Sequence, residues 1–248
     1  MKAITIIILV FSSLGIQAQH NASDKLKYKD LKIFNYLKEY QYRAIYIDSN
    51  GDTLSDEKII VQPTAEVSPR HHSQTLLKYF YNYSDEDSVR LSAKPINETA
   101  FTKEHNTIKW RKRILEGAIE NEHELWIHPF RANQYSLTEI APFPEVHIHL
   151  EDNHTWKAHT FITKSWGTFK GKVKSNYVMN KAGKRIYKFA SLDDCWKLKA
   201  EGKHSKLGTN ILTYYYHAAY GFLEMNYEFY NKQKMFFVLE KVKTIKNE

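Results

Sequence analysis

Residues 222–230 read FLEMNYEFY, and their pattern constrains the fold more than any other feature of the chain. Leu223, Met225, Tyr227 and Phe229 fall on one side of an extended backbone, and Glu224, Asn226 and Glu228 on the other. A period of two belongs to a strand, not a helix. One apolar and one polar face marks an antiparallel sheet that rests on a core and meets water on its other side. The pattern recurs. Residues 40–48, YQYRAIYID, are followed by Ser49-Asn50-Gly51-Asp52 and a second run to Val61. Asn-Gly between two such runs is a strong hairpin signal. Residues 231–234 separate 222–230 from a further run over 235–242, and 212–217 read as the strand before them. Asn180-Lys181-Ala182-Gly183, between 175–179 and 184–189, reads as the turn of another hairpin.

Helix is scarce. Leu31, Phe34, Leu37 and Tyr40 have helical spacing, which predicts one amphipathic helix over 29–40, and 113–119 suits a second short one. Aromatic residues make up 14% of the chain, and these with the β-branched residues are strand formers. The expected fold is mainly β: an antiparallel open sheet, sandwich or partly closed barrel with one or two short helices. No linker or repeat divides the chain, so 20–248 is expected to form a single β-rich domain.

The first residues have the layout of a secretory signal peptide. Lys2 supplies a positive start, Ile4 to Phe11 an apolar core, and Ala18 a small residue for cleavage. That core is too short to cross a bilayer, which takes about 20 residues. No later run is apolar enough, so no membrane span is expected and the mature chain is placed in the periplasm or outside the cell. Removing 1–19 lowers the formal charge from +8 to +7. Along the sequence the basic residues are dispersed. Arg111-Lys112-Arg113 alone stands out, and Glu116, Glu120, Glu122 and Glu124 follow it. Nucleic acid is therefore not an expected partner. Cys195, the only cysteine, cannot form an internal disulfide and reads as a small buried hydrophobe.

Four of the twelve histidines lie between Glu124 and Trp156. Strict alternation over 145–151 puts His147 and His149 on a polar strand face. If Asp152-Asn153-His154 turned the chain back as a hairpin, Leu150, Ile148 and Val146 would oppose Trp156, Ala158 and Thr160. His147 would then oppose His159. Three such imidazoles are a possible zinc set. A solvated strand face is the stronger explanation, and no metal or other cofactor is expected. The stretch Trp126-Ile127-His128-Pro129-Phe130-Arg131 differs. His128 is held extended by the proline after it. His128 and Arg131, on a stiff loop, are the expected ligand-binding pair, suited to an anionic group. The competing reading pairs Arg131 with Glu139. Arg70-His71-His72-Ser73 reads as a solvated turn. No G-x-S-x-G, H-E-x-x-H or phosphate-cradling glycine loop occurs, so no catalytic residue is assigned.

The 126–131 stretch with Leu137-Thr138-Glu139-Ile140-Ala141-Pro142-Phe143-Pro144, and the C-terminal 195–227 region, resemble secreted β-rich proteins of unknown function in Gram-negative bacteria, Bacteroidetes in particular. They are also loosely similar to the curved antiparallel sheets of periplasmic lipoprotein carriers. That second likeness implies a concave apolar face able to hold an acyl chain. Neither supplies catalytic residues. The aromatic strands, with Tyr227 and Phe229 on one face and Tyr230 and Phe236 on the other, point to a non-enzymatic binder of an apolar or amphipathic molecule or envelope component. The alternatives are a hydrolase of envelope polymers or metalloenzyme using the histidine face, and a structural subunit of an envelope complex. The leader makes the first prediction: the exported product begins near Gln19 or His20. N-terminal sequencing checks this, and an intact Met1 on a cytoplasmic product refutes it.

Overall fold

A computed structural model describes residues 31–93, 110–163, 166 and 169–245. The leader lies outside them. The fold is mainly β. Twelve strands form one sheet: β1 (Lys38–Ile47), β2 (Thr53–Val67), β3 (Thr75–Asn82), β4 (Arg113–Glu120), β5 (Glu124–Ile127), β6 (Glu145–His147), β7 (His154–Ile162), β8 (Gly171–Ile186), β9 (Ser191–His204), β10 (Gly208–His217), β11 (Gly221–Glu228) and β12 (Lys234–Thr244). A short helix, α1 (Asp85–Ala93), follows β3. Ser84 caps it, with its Oγ accepting from the Asp87 amide at 3.0 Å.

All strand pairs are antiparallel, and the order is β6-β5-β4-β3-β2-β1-β12-β11-β10-β9-β8-β7. This is a meander whose first and last strands pair at the middle, through Tyr40↔Val242 to Ile47↔Lys234. The break falls between β6 and β7, which are neighbours in sequence. Laid flat, twelve strands would put the two edges about 50 Å apart. The connection over 148–153 spans at most about 25 Å. The sheet must therefore curl until its edges approach, giving a partly closed barrel.

Two expected hairpins form as read. β1 and β2 meet across the Asn50-Gly51 turn, where Gly51 has φ +96° and Asp48 Oδ1 accepts from the amides of Asn50 and Asp52. β11 and β12 meet across 229–233. The hairpin expected at 180–183 does not form. β8 runs straight through, and the register against β9 shifts on either side of Gly183, whose φ is +68°. The glycine marks a bulge instead of a turn.

Both expected helices are absent. Residues 113–119 lie in β4. Over 31–37 the chain bends irregularly, because the Glu120 carboxylate accepts from three successive amides, Lys32, Ile33 and Phe34, at 2.7–3.2 Å. Amides committed to one carboxylate are not available for the i→i−4 bonds of a helix interior. Leu31, Ile33 and Phe34 are nonetheless buried.

The expected hairpin between β6 and β7 is the largest correction. β6 pairs with β5 through Glu124↔His147, Leu125↔Val146 and Trp126↔Glu145. Leu125 and Val146 are fully buried. Alternation fixes which face a residue takes, but any strand of matching pattern can serve as partner.

The inner face of the curl is filled by the segment that joins β5 to β6. Its 128–144 residues include a 3-10 helix, Asn133–Ile140. Phe130 packs edge-on against Tyr42, Tyr79 and Phe237 at 5.0–5.2 Å, and Tyr135 against Phe237 at 5.4 Å. Pro142 lies over Gly202 of β9, where a Cβ would come within 2.8 Å of the proline ring and 2.9 Å of Val173. Gly202→Ala is thus expected to destabilise the fold by about 1–3 kcal/mol, as overpacking does. Urea unfolding measures it. An unchanged midpoint would mean that the plug gives way at no cost.

Candidate functional site

The plug carries both residues that the sequence singles out. Pro129 and the short β5 bring His128 and Arg131 out of the sheet at the start of 128–144. Arg131 is held from two sides. Its Nε and Nη2 donate to the two carboxylate oxygens of Glu116 on β4 at 2.9 and 2.8 Å, and its Nη1 donates to Glu139 at 2.6 Å. Glu139 in turn accepts from the Trp166 indole at 2.7 Å. The Arg131–Glu139 pair therefore exists, and Glu116 is a third member that sequence reading missed. Glu116 is nearly buried, and burial pushes its carboxyl up while the Arg131 hydrogen bonds oppose that. Planar, forked pairing of this kind fixes a guanidinium tightly.

His128 stands apart from that network. Its ring packs 4.7 Å from Trp126 and 5.4 Å from Phe143. Nδ1 is buried with no hydrogen-bond partner among the described residues. Burial, then the nearby Arg131 charge, pushes its pKa down to about 3, so the imidazole is neutral at physiological pH.

Arg131 forms one wall of an open cleft of about 640 Å³. Arg111, Arg113, Ile114, Leu115 and Glu116 line it from the β4 side, and Ala132, Asn133, Ser136 and Glu139 from the plug. His128 is not among the lining residues. Asn133 ties the walls together: its side chain accepts from the Arg111 amide at 2.7 Å and donates to the Arg111 carbonyl at 3.1 Å. Glu116 and Glu139 are both engaged by Arg131. Arg111 and Arg113 make no ion pair among the described residues, and three arginines against two carboxylates leave the cleft lining a formal charge of +1. Leu115 is 51% exposed and gives it an apolar margin.

The three imidazoles of the supposed strand face do not converge. His149 sits exposed in a bend, and His159 is exposed on β7 opposite Lys174. Among the described residues no set of three metal-ligating side chains comes together. His147 instead joins the seam between the two edge strands. Its Nδ1 lies 3.3 Å from His154 Nε2, its Nε2 lies 3.2 Å from Glu145, and its ring stacks on Trp156 at 4.4 Å. Trp156 stacks in turn on Tyr177 at 4.9 Å. Trp156 was legible only as a core aromatic, because nothing local in the sequence marks a seam. Elsewhere the plain readings hold. Cys195 is buried, the 70–73 turn is exposed, and Tyr227 and Phe229 are buried against each other.

No family model matches the chain, and no curated protein matches it. Solved structures do. The chain is similar to a protein from Bacteroides fragilis assigned as exported, with a YmcC-like fold, at 8% identity and a TM-score of 0.45, over 84% of this chain and 95% of that one. It is similar to a protein from Parabacteroides distasonis assigned as a lipoprotein, at 10% identity and TM-score 0.37, over 86% and 100% of the two chains. A β-barrel-like protein of a domain of unknown function from Brucella abortus is similar at 8% identity and TM-score 0.36, over 84% and 98%. The concave face that the carrier likeness implied is occupied by the plug. The space remaining beside Phe130, Tyr42 and Phe222 is about 10 Å³.

The seam has a pH signature. Burial, and then Glu124, pushes the Glu145 carboxyl up to about 7. An unfolded glutamate titrates near 4.3. The folded state therefore holds the proton more tightly. This contribution is complete below the unfolded value and is lost as the pH rises through about 7. Glu145→Gln removes the titration. The variant is expected to exceed the native protein in stability at pH 8, by up to about 3 kcal/mol, and to converge with it by about pH 4. Melting curves across that range test the sign. A gap that widens toward low pH refutes it.

Proposed function

We propose that this chain is an exported binding protein that takes an anionic amphipathic molecule in the cleft between β4 and the plug. The observation that carries this reading is the cleft's charge. Glu116 and Glu139 are both hydrogen-bonded to Arg131, and with Arg111 and Arg113, which pair with neither, the open space of about 640 Å³ beside the exposed Leu115 has a net positive lining. Small-molecule sites combine an apolar wall with a few fixed polar groups. Here Ile114, Leu115 and Ala132 are the apolar wall, and the arginines receive the anionic head. Arg131 keeps two N–H donors beyond the three it uses. Because its carboxylate partners already fix it, little ordering cost remains on binding. His128 supports the loop from behind through its contacts with Trp126 and Phe143. The Lys2, Ile4–Phe11 and Ala18 layout supports export.

Titration with anilinonaphthalene sulfonate, an anionic amphiphile whose fluorescence rises on binding, tests the site. Arg111→Gln/Arg113→Gln is expected to bind it at least about tenfold more weakly, while its stability stays within about 0.5 kcal/mol of the native protein. Arg131→Ala is expected to cost about 3–5 kcal/mol in stability, because it leaves Glu116 buried without its cation. Unchanged affinity in the double variant would remove the basis of the proposal.

A further inference from the structure

Lysines that look dispersed along the sequence gather on the outer face of β7, β8 and β9. Lys157 lies on β7, Lys172 and Lys174 on β8, and Lys197, Lys199 and Lys203 on β9. They point away from the core, since their neighbours Val173, Tyr177, Leu198 and Ala200 are buried on the opposite face. Register places them side by side. His159 is opposite Lys174, and Lys174 is opposite Lys203, which makes a basic row across three strands. β7 and β8 contain no carboxylate. Within the patch the one acid is Glu201, which pairs with Lys199 at 2.8 Å. The other five lysines make no ion pair among the described residues. Like charges placed directly opposite each other weaken a sheet, so this face carries a cost that folding does not explain. Phe161, 75% exposed, lies at its edge beneath the ammonium of Lys172, 5.5 Å from the ring centre. Between the strands is a shallow depression of about 510 Å³, with Thr155, Lys157, Asn176, Lys199 and the Lys199-paired Glu201 in its lining.

We infer that this face docks on a bilayer surface rich in anionic phospholipid. The inference is independent of the cleft and uses none of its residues. Three features favour a lipid surface over a single polyanionic chain. The face is the convex side of a curled sheet, which suits an extended, deformable surface. Phe161 offers a ring to the acyl boundary, and the lysine stems can lie along the interface with their ammonium groups among the phosphates. The depression between Lys157, Asn176 and the Lys199–Glu201 pair is large enough to seat a headgroup, with the Lys157 ammonium free to meet its phosphate. Attraction accumulates with each lysine near the surface and is screened by salt.

Co-sedimentation of the mature chain with vesicles of equal parts phosphatidylglycerol and phosphatidylcholine, and with vesicles of phosphatidylcholine alone, tests this. Binding is expected on the anionic vesicles only, and to weaken as salt rises. Lys157→Gln/Lys174→Gln/Lys199→Gln/Lys203→Gln is expected to lower the affinity about a hundredfold or more. The matching Lys→Arg variant is expected to retain it, which separates lost charge from lost folding. Phe161→Ser is expected to weaken binding while leaving the salt dependence unaltered. Equal binding to phosphatidylcholine alone, an unaffected quadruple Gln variant, or capture by dextran sulfate without any binding to anionic vesicles would each overturn the inference.

Discussion

A loop threaded through the inside of a sheet must find partners for its backbone, and the 128–144 plug finds them in the walls. Tyr79 donates to the His128 carbonyl at 2.8 Å, Tyr177 to the Phe143 carbonyl at 3.0 Å, and Asn210 to the Ile140 carbonyl at 2.6 Å. Tyr214 reaches the Glu145 carbonyl. Unpaired, each of these buried carbonyls would cost about 1–3 kcal/mol. A tyrosine joins a ring that fills space to a hydroxyl that can reach across it. That is why the inner wall facing the plug carries Tyr79, Tyr81, Tyr177 and Tyr214 in place of aliphatic residues alone. With the plug fixed, β5 and β6 become partners, Arg131 meets Glu116, and the cleft has its second wall.

Closure follows from the same arrangement. β6 is drawn to β5 by the plug between them, so β7 leaves β6 as the opposite edge of the sheet with only 148–153 between them. The seam is completed by side chains instead of a hydrogen-bonded ladder. His147 bridges to His154, and Trp156 stacks on both His147 and Tyr177. Burying Glu145 beside Glu124 makes the seam the part of the barrel that answers to pH near neutrality.

The electrostatics divide into a fixed interior and an open exterior. Arg131 holds both Glu116 and Glu139, Trp166 satisfies a remaining carboxylate oxygen, and Arg111 nearby adds its charge to offset the second carboxylate. Such a network confers position more than stability, because desolvation offsets much of the Coulomb gain. The outer lysines of β7–β9 are the reverse: hydrated, unpaired in the main, and brought together by register alone.

The sequence by itself determined the strand character of most of the chain, two of the hairpins, and the faces that residues take within each strand. Those are local properties of a period-two pattern and of Asn-Gly turn chemistry. It also marked the 126–131 stretch, because proline and a charged residue beside aromatics stand out locally. It did not decide partners. β6 chose β5 over β7, Gly183 became a bulge and not a turn, and 31–37 wrapped round Glu120 in spite of helical spacing. In each case an interaction distant in sequence outweighed a local preference. Glu116 as the second carboxylate of Arg131, Trp156 at the seam and the basic row His159, Lys174 and Lys203 are all products of strand order. Periodicity carries no information about which strand lies next to which, so only the tertiary structure could bring those side chains together.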